Sequence, residues 1–453
     1  GGVVLAVHRG EVVFRKAYGS AQLELGVAMR PEHVFRLGSI TKQFTAVAIL
    51  QLVEAGKLKL DDDITAHVPG LQTNGHRITL EHLLNHTSGL PNITDQRPWQ
   101  STIREDLTLE KQLAFINDQP ALFAPGADWA YSNTGYRLLG AVVEQASGQT
   151  YAQYVQEHIF KPAGMTHSAY DVARRVIPLR AAGYTSGGDG TVANADFASM
   201  AQPHGAGALL STVDDLRKWH EALFAGKLLG RELLQRAHTS VRLADGRDTS
   251  CGFGWHVSFT AGHRTLEHSG GTYGFNTHAL SLPDADLFFV ALFNSDRPKL
   301  SPVVVCTQIA EIILGPTGGL AVTVPTRTLQ RYAAVYRAPH EKIAFVVEGG
   351  AFVVKDQSGR TFPLTAISES QFFAPGIQMR YGFVDDPARA GHQRVRLQPR
   401  GQIESFAIWV DEPLMNPVVA VPEEILERYV ATYQVNARFA VVVRREGASL
   451  TAQ

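Results

Sequence analysis

The chain has little cysteine: only Cys251 and Cys306 in 453 residues, far apart in sequence. Two thiols so placed give no disulfide framework to read, and buried free thiols are the expectation. No run of about 18 apolar residues occurs, so no membrane span is indicated. Neither charge is in excess, with 42 Lys+Arg against 43 Asp+Glu, which gives no sign of a nucleic-acid surface or an acidic substrate. His-Glu-x-x-His is absent. Glu81-His82 and His86 put two histidines at helical spacing, but no third ligand is evident, so no metal is expected and a hydrogen-bonded structural His86 is the reading. Gly187-Gly188-Asp189-Gly190 lacks the Lys-Ser/Thr of a phosphate loop and reads as a turn; no cofactor is expected. No Gly-x-Ser-x-Gly elbow exists, which disfavours an α/β-hydrolase. No initiator Met opens the chain. It begins Gly1-Gly2-Val3-Val4, directly in an apolar strand, so the expectation is that the natural N-terminus lies earlier. The compartment is then unread, with export or a periplasmic location open.

What is present begins at Ser39-Ile40-Thr41-Lys42. The stretch stands where the loop Arg36-Leu37-Gly38 runs into an apolar helix, Phe44 to Ala55, closed by Gly56. Residues three apart share a helix face, so Ser39 and Lys42 would point into one cavity. A serine there is a candidate nucleophile, and a neutral lysine one turn on could take its proton. The plain alternative is an N-capping serine followed by a solvated lysine. Ser39 is the only serine here with lysine three residues later.

Two further stretches supply what such a nucleophile needs. Tyr131-Ser132-Asn133, the only Tyr-x-Asn, follows the turn Ala124-Pro125-Gly126. A tyrosine oxygen could relay the proton to a leaving group, and an asparagine amide could hold both a lysine and a substrate carbonyl. The alternative is a buried aromatic in an ordinary turn. His268-Ser269-Gly270-Gly271 follows Arg264-Thr265-Leu266-Glu267, which reads as a strand. A glycine pair at a strand edge lets a substrate backbone approach closely. His-x-Gly also occurs at His8-Arg9-Gly10, so that triplet alone is unspecific.

Together, in this order, the three stretches resemble the penicillin-recognising serine hydrolases, the superfamily of class C β-lactamases, DD-peptidases, family VIII esterases and D-aminopeptidases. Leu83-Leu84-Asn85-His86-Thr87-Ser88-Gly89-Leu90, Ser211-Thr212-Val213-Asp214-Asp215-Leu216 and Gly252-Phe253-Gly254-Trp255 are similar to it as well. The resemblance covers roughly residues 1 to 315. It implies backbone N–H groups, those of Ser39 and Gly271, as holders of an oxyanion.

The organisation agrees with an α+β fold. Residues 2 to 18 read as a hairpin turning near Arg9-Gly10. A mostly helical stretch follows from about 79 to 172. Ser211 and Asp214 form a capping-box pattern opening a helix. Strands are expected near 254–260, 264–268 and 275–294, then a helix from Val303 to Leu314 closed by Gly315. That order suggests an antiparallel sheet with packed helices and a helical subdomain, followed by antiparallel β-barrel domains. The expected boundaries are a catalytic domain at 1–315, a linker at 316–324 and a small barrel at 325–415. A second, truncated barrel repeat follows at 416–453. The repeat is explicit: Leu329-Gln330-Arg331-Tyr332 recurs as Leu426-Glu427-Arg428-Tyr429, and Tyr336 as Tyr433. A catalytic domain followed by two barrels resembles the D-aminopeptidase branch.

The expected chemistry is acyl transfer through Ser39 to a small-molecule or short-peptide substrate, with release of the acyl-enzyme by water. Lys42 must be neutral to act as base, and lowering its pKa to about 7 costs on the order of 4 to 5 kcal/mol. Which of Lys42 and Tyr131 takes the first proton is open, and a coupled pair is the reading. His268 stands where β-lactamases of the superfamily carry a permanent lysine cation. Histidine is mostly neutral at pH 7, which argues for an aminopeptidase, amidase or esterase over a β-lactamase or carboxypeptidase, unless Arg264 or another segment restores the charge. A catalytically silent peptide- or peptidoglycan-binding protein is the alternative of another class. A homo-oligomer through the barrels is a further expectation.

Overall fold

Strands Gly2–His8 (β1) and Glu11–Tyr18 (β2) pair antiparallel as the opening hairpin. β1 is buried on both faces and β2 is largely exposed, because β1 lies inside a sheet and β2 at its edge. The computed structural model describes residues 1–95, 97–187, 191–315, 319–338, 341–400, 404–414, 423–436, 439–446 and 449–452. The other strands of this sheet come from far along the chain: His256–Thr260 (β3), His263–Thr272 (β4), Phe275–Leu282 (β5) and Leu287–Phe293 (β6). The six form an antiparallel sheet in the order β3-β4-β5-β6-β1-β2.

Alternation along β1 decides how the sheet is covered. Val3, Leu5 and Val7 join the main core with the helices, while Val4 and Ala6 pack with Leu280, Phe289 and Ala291 against Cys306 and Ala310. Those last two lie on the helix Pro302–Leu314. The sheet is thus a middle layer. The helix Thr41–Glu54 (α1) is buried nearly all round, with Phe44, Ala46, Val47, Ala48, Ile49 and Leu50 fully inside. Such a helix lies within a core rather than on it. Short helices fill the stretch from Leu80 to Ala163, and Asn133–Ser147 (α2) is the longest of them.

Two sequence expectations shift. Ser211 closes a short strand, and Thr212 is the cap of the helix Val213–Phe224, its side chain accepting from the Asp215 N–H at 3.1 Å. β4 runs four residues past the expected 268. β3 pairs with it only from His263 to Glu267, whereas β5 pairs with it through Thr272. Residues 268 to 272 therefore have an open edge on the side that β3 leaves.

Beyond the first sheet, nine strands between Val335 and Val410 form one antiparallel sheet. Its edge strands, Thr361–Pro363 and Thr365–Ala366, are separated only by Leu364, so the sheet curls until its edges nearly meet. Tyr336, Phe345, Phe352, Phe372, Tyr381 and Phe383 fill it. Three more strands, Ala431–Asn436, Phe439–Glu446 and Ser449–Ala452, form a separate sheet. One bond recurs across the sequence repeat: the Tyr336 hydroxyl donates to Tyr332 O at 3.3 Å, and Tyr433 to Tyr429 O at 3.1 Å. Residues 316–318 of the expected linker, 416–422 at the expected start of the second repeat, and 188–190 of the glycine-rich turn lie outside the described residues.

Candidate active site

Gly38 turns the chain into the site with φ of 56°. A Cβ there would stand 2.9 Å from Gly271 N and 3.0 Å from Gly271 O, so only glycine lets this turn lie against β4. Gly38–Ile40 form a single 3-10 turn that leads straight into α1. α1 has no side-chain cap, with Ile40 at the cap position. Ser39 is therefore not a capping serine, and Lys42 is not solvated: its side chain is fully buried.

Lys42 Nζ makes three hydrogen bonds: to Ser39 Oγ at 3.0 Å, to Asn133 Oδ1 at 2.7 Å and to the Ala206 carbonyl at 2.9 Å. None of these partners is a carboxylate. Burial pushes the ammonium form out and holds the Lys42 pKa well below its ordinary value. The amine also sits 4.8 Å from the centre of the Tyr131 ring.

Tyr131 immediately precedes Ser132, the cap of α2, whose hydroxyl accepts from Gly135 N at 3.1 Å. That cap fixes Tyr131 and Asn133 on either side of it. The Tyr131 hydroxyl bonds to Ser39, and burial raises its pKa. Lys42 is thus biased towards the free amine and Tyr131 towards the neutral phenol. Asn133 is held by its own contacts, its N–H to Asn92 Oδ1 at 2.9 Å and its Nδ2 to Thr94 Oγ1 at 3.1 Å.

Three histidines surround Tyr131. His86 lies 4.7 Å away by ring centres, His268 6.2 Å and His256 6.4 Å, the last nearly parallel at 17°. His86 Nδ1 accepts from Ser132 N at 3.1 Å, a structural bond, while His82 Nδ1 accepts from Thr79 N at 3.2 Å in a capping box. Burial, and next the neighbouring His256, push His268 well below its ordinary pKa; its Nδ1 contacts the Ser269 carbonyl at 2.7 Å. Arg264 donates to the His238 carbonyl and is not among the residues lining the cavity described below.

Ser39, Asn133 and Gly271 line a cavity of about 540 Å³, with Trp99, Met200 and Tyr273 as apolar wall and Asp95, Asp296 and Arg297 as its charged groups. A cavity of about 630 Å³ beside Phe14, Tyr18, Phe293 and Ile309 touches none of Ser39, Lys42, Tyr131 or His268. Gly271 has nothing within 4 Å of its Cβ position, whereas a Cβ on Gly270 would meet Leu37 O at 1.9 Å and Thr277 Oγ1 at 2.2 Å. The structure thus brings all seven sequence candidates to one place. Three participants were missed. His256 directly follows Gly252-Phe253-Gly254-Trp255, and its place at a strand start was the available signal. The Ala206 carbonyl has no side-chain signature, and Arg297 lies beyond a strand end with no motif around it.

Comparison with known proteins shows what the whole chain is similar to. The family described as Beta-lactamase matches residues 1–311. Penicillin-binding protein 4* of Bacillus subtilis is 27% identical over 419 residues, covering 86% of this chain and 91% of that protein. The octameric penicillin-binding protein homologue from Pyrococcus abyssi superposes with a TM-score of 0.60 at 25% identity, over 89% of this chain and 95% of that one. The D-stereospecific amidohydrolase from Streptomyces sp. gives 0.56 at 26% identity, over 65% and 89%.

Proposed function

The chain belongs to the Beta-lactamase family, and from that premise we propose that it is a serine hydrolase that cleaves small amides, short peptides or esters through an acyl-enzyme on Ser39, in the manner of a D-aminopeptidase or amidase. The observation that carries the reading is the 3.0 Å contact between Ser39 Oγ and the buried Lys42 amine. Lys42, as free amine, takes the Ser39 proton while Oγ attacks the carbonyl carbon. Tyr131, hydrogen-bonded to Ser39, passes a proton to the leaving nitrogen or oxygen and recovers one from Lys42. Water then repeats the sequence on the acyl-enzyme. The Gly271 N–H, beside the Gly38 turn, and that of Ser39 are the donors for the developing oxyanion.

Neutral His268 gives a substrate carboxylate no cation at that position. The amidohydrolase from Streptomyces sp. supports an amide substrate with D stereochemistry. Arg297 on the cavity wall is the observation favouring a second reading, a carboxylate-bearing substrate such as a penicillin. The octameric Pyrococcus abyssi homologue supports assembly of copies of this chain, which light scattering would read directly.

A fluorophosphonate should label the protein once, and Ser39→Ala should abolish the labelling; labelling that persists at another serine overturns the assignment. Turnover of D-aminoacyl anilides or p-nitrophenyl esters should exceed that of nitrocefin. The reverse order would make the second reading the correct one.

A further inference from the structure

The strand that carries His268 has another face. Glu267 and Ser269 point to it, since neighbours of His268 alternate across the strand, and His278 on β5 stands opposite Ser269 in register. Glu267 is only 5% exposed, yet it is matched by a cation from the distant barrel. Arg400, just past the strand Gln393–Pro399, donates from Nη2 to Glu267 Oε2 at 2.6 Å and from Nε to Oε1 at 3.2 Å. Its Nη1 donates to Thr307 Oγ1 on the helix Pro302–Leu314.

His278 continues the chain of contacts. Its buried Nε2 lies 3.3 Å from Glu267 Oε2, poorly aligned for a hydrogen bond but with no better-placed partner, and the His268 backbone also acts on the ring. Its Nδ1 lies 3.0 Å from Ser269 Oγ. An ionised carboxylate only accepts, so the proton of His278 belongs on Nε2 and Nδ1 accepts from the Ser269 hydroxyl. Ser269 is then held at both ends, its hydroxyl by His278 and its carbonyl by His268 Nδ1 at 2.7 Å.

We propose that Arg400 and Glu267 are positioning residues for the reaction: through His278 and Ser269, the barrel fixes the open-edged strand that presents His268 and Gly271 to Ser39. This rests on the reading of Ser39 as nucleophile. The open edge explains why outside support is needed. From residue 268 onward β4 lacks its β3 partner, so it is held by β5, by the Leu37-Gly38 turn against Gly270 and Gly271, and by side-chain contacts. The charged groups around His278 are Glu267 from its own sheet, Arg400 from the barrel and His256 from β3, with Glu311 of the neighbouring helix acting on Arg400.

The test uses the full chain. Replacing a buried ion pair by apolar residues of similar volume commonly preserves the fold, so Glu267→Leu/Arg400→Met should unfold cooperatively like the wild type. It should nonetheless label with fluorophosphonate up to about a hundred-fold more slowly, and lower kcat with KM little changed. A folded double variant that labels and turns over at the wild-type rate overturns the proposal. Should that variant fail to fold, Thr307→Val removes only the hydroxyl that supports Arg400; slower labelling is expected, and an unchanged rate counts against the role. Nitrogen NMR of His278 reads the relay without any activity. The wild type should carry the proton on Nε2 at pH 7, and Arg400→Met should protonate His278 at a pH where the wild type is neutral. A proton on Nδ1 in the wild type would overturn the relay even if Ser39 reacts. If Ser39 does not react but this signature is found, it is the hydrolase reading that falls.

Discussion

Burying an amine with no carboxylate beside it costs stability, and Lys42 shows where that cost falls. In the unfolded chain Lys42 keeps its ordinary pKa; in the folded chain burial depresses it. Between the folded and the unfolded value, the unfolded state binds a proton that the native state lacks. Stability therefore rises with pH through that window and falls as pH drops below the unfolded value. Lys42→Met has no such dependence. Measured by denaturant unfolding, the stability of the variant relative to the wild type should decline as pH rises towards the ordinary lysine value, by at most about 1.4 kcal/mol per pH unit. A pH-independent difference would mean that Lys42 is protonated in the native state, and Tyr131 would then have to supply the base. The same burial shifts the amine towards its free form, so activity should extend below the pH range of an ordinary lysine. At this scale the sequence was highly legible, because Ser39, Lys42, Tyr131 and Asn133 carry their chemistry in side chains at fixed spacings. The Ala206 carbonyl was illegible for the opposite reason: a backbone acceptor leaves no mark on residue type.

At the scale of elements, the glycine pair does two different jobs. Gly270 lets β4 touch the Leu37-Gly38 turn, where Thr277 Oγ1 also donates to Leu37 O at 2.7 Å. Gly271 faces open space beside Ser39. Gly270→Ala should destabilise by about 1 to 3 kcal/mol, because backbone and a buried hydroxyl must give way. Gly271→Ala should leave the unfolding midpoint nearly unchanged, since its Cβ position meets no other atom. Equal midpoints for Gly270→Ala and the wild type would contradict the close approach. Strand and helix identities were readable from β-rich and apolar runs, but boundaries depended on partners. β4 outlasts its pattern because β5 continues to pair with it. The cap moved from Ser211 to Thr212 because Ser211 is used in a strand, where its hydroxyl meets Ser168 Oγ at 2.8 Å.

At the scale of the whole molecule, the barrel strand Gln371–Ala374 is buried on both faces where one would be expected to meet water. Phe372 points into the barrel core, and its neighbour Phe373 packs edge-on against Phe259 of β3 at 5.2 Å. Tyr381 likewise points inward, while Arg380 donates to the Gly262 carbonyl at 2.7 Å and lies 4.9 Å from the Phe259 ring. The Glu404 N–H adds a bond to Asp248 O at 2.7 Å. Alternation between core and solvent cannot be told from alternation between core and another layer in sequence alone, so this contact was not foreseen. Its aromatic and charge-assisted contacts, together with Arg400–Glu267, couple two hydrophobic cores that otherwise share no residue. The wild type should therefore melt in one calorimetric transition across the described body. Phe373→Ala/Arg380→Ala removes the aromatic and cationic part of the contact, leaving Arg400–Glu267 in place, without touching either core or the reaction cavity. It should split the transition in two, the catalytic layer and the barrel unfolding separately, with labelling of Ser39 slowed but not abolished. A single unshifted transition in that variant would show that the barrel is bound to the catalytic layer by other contacts.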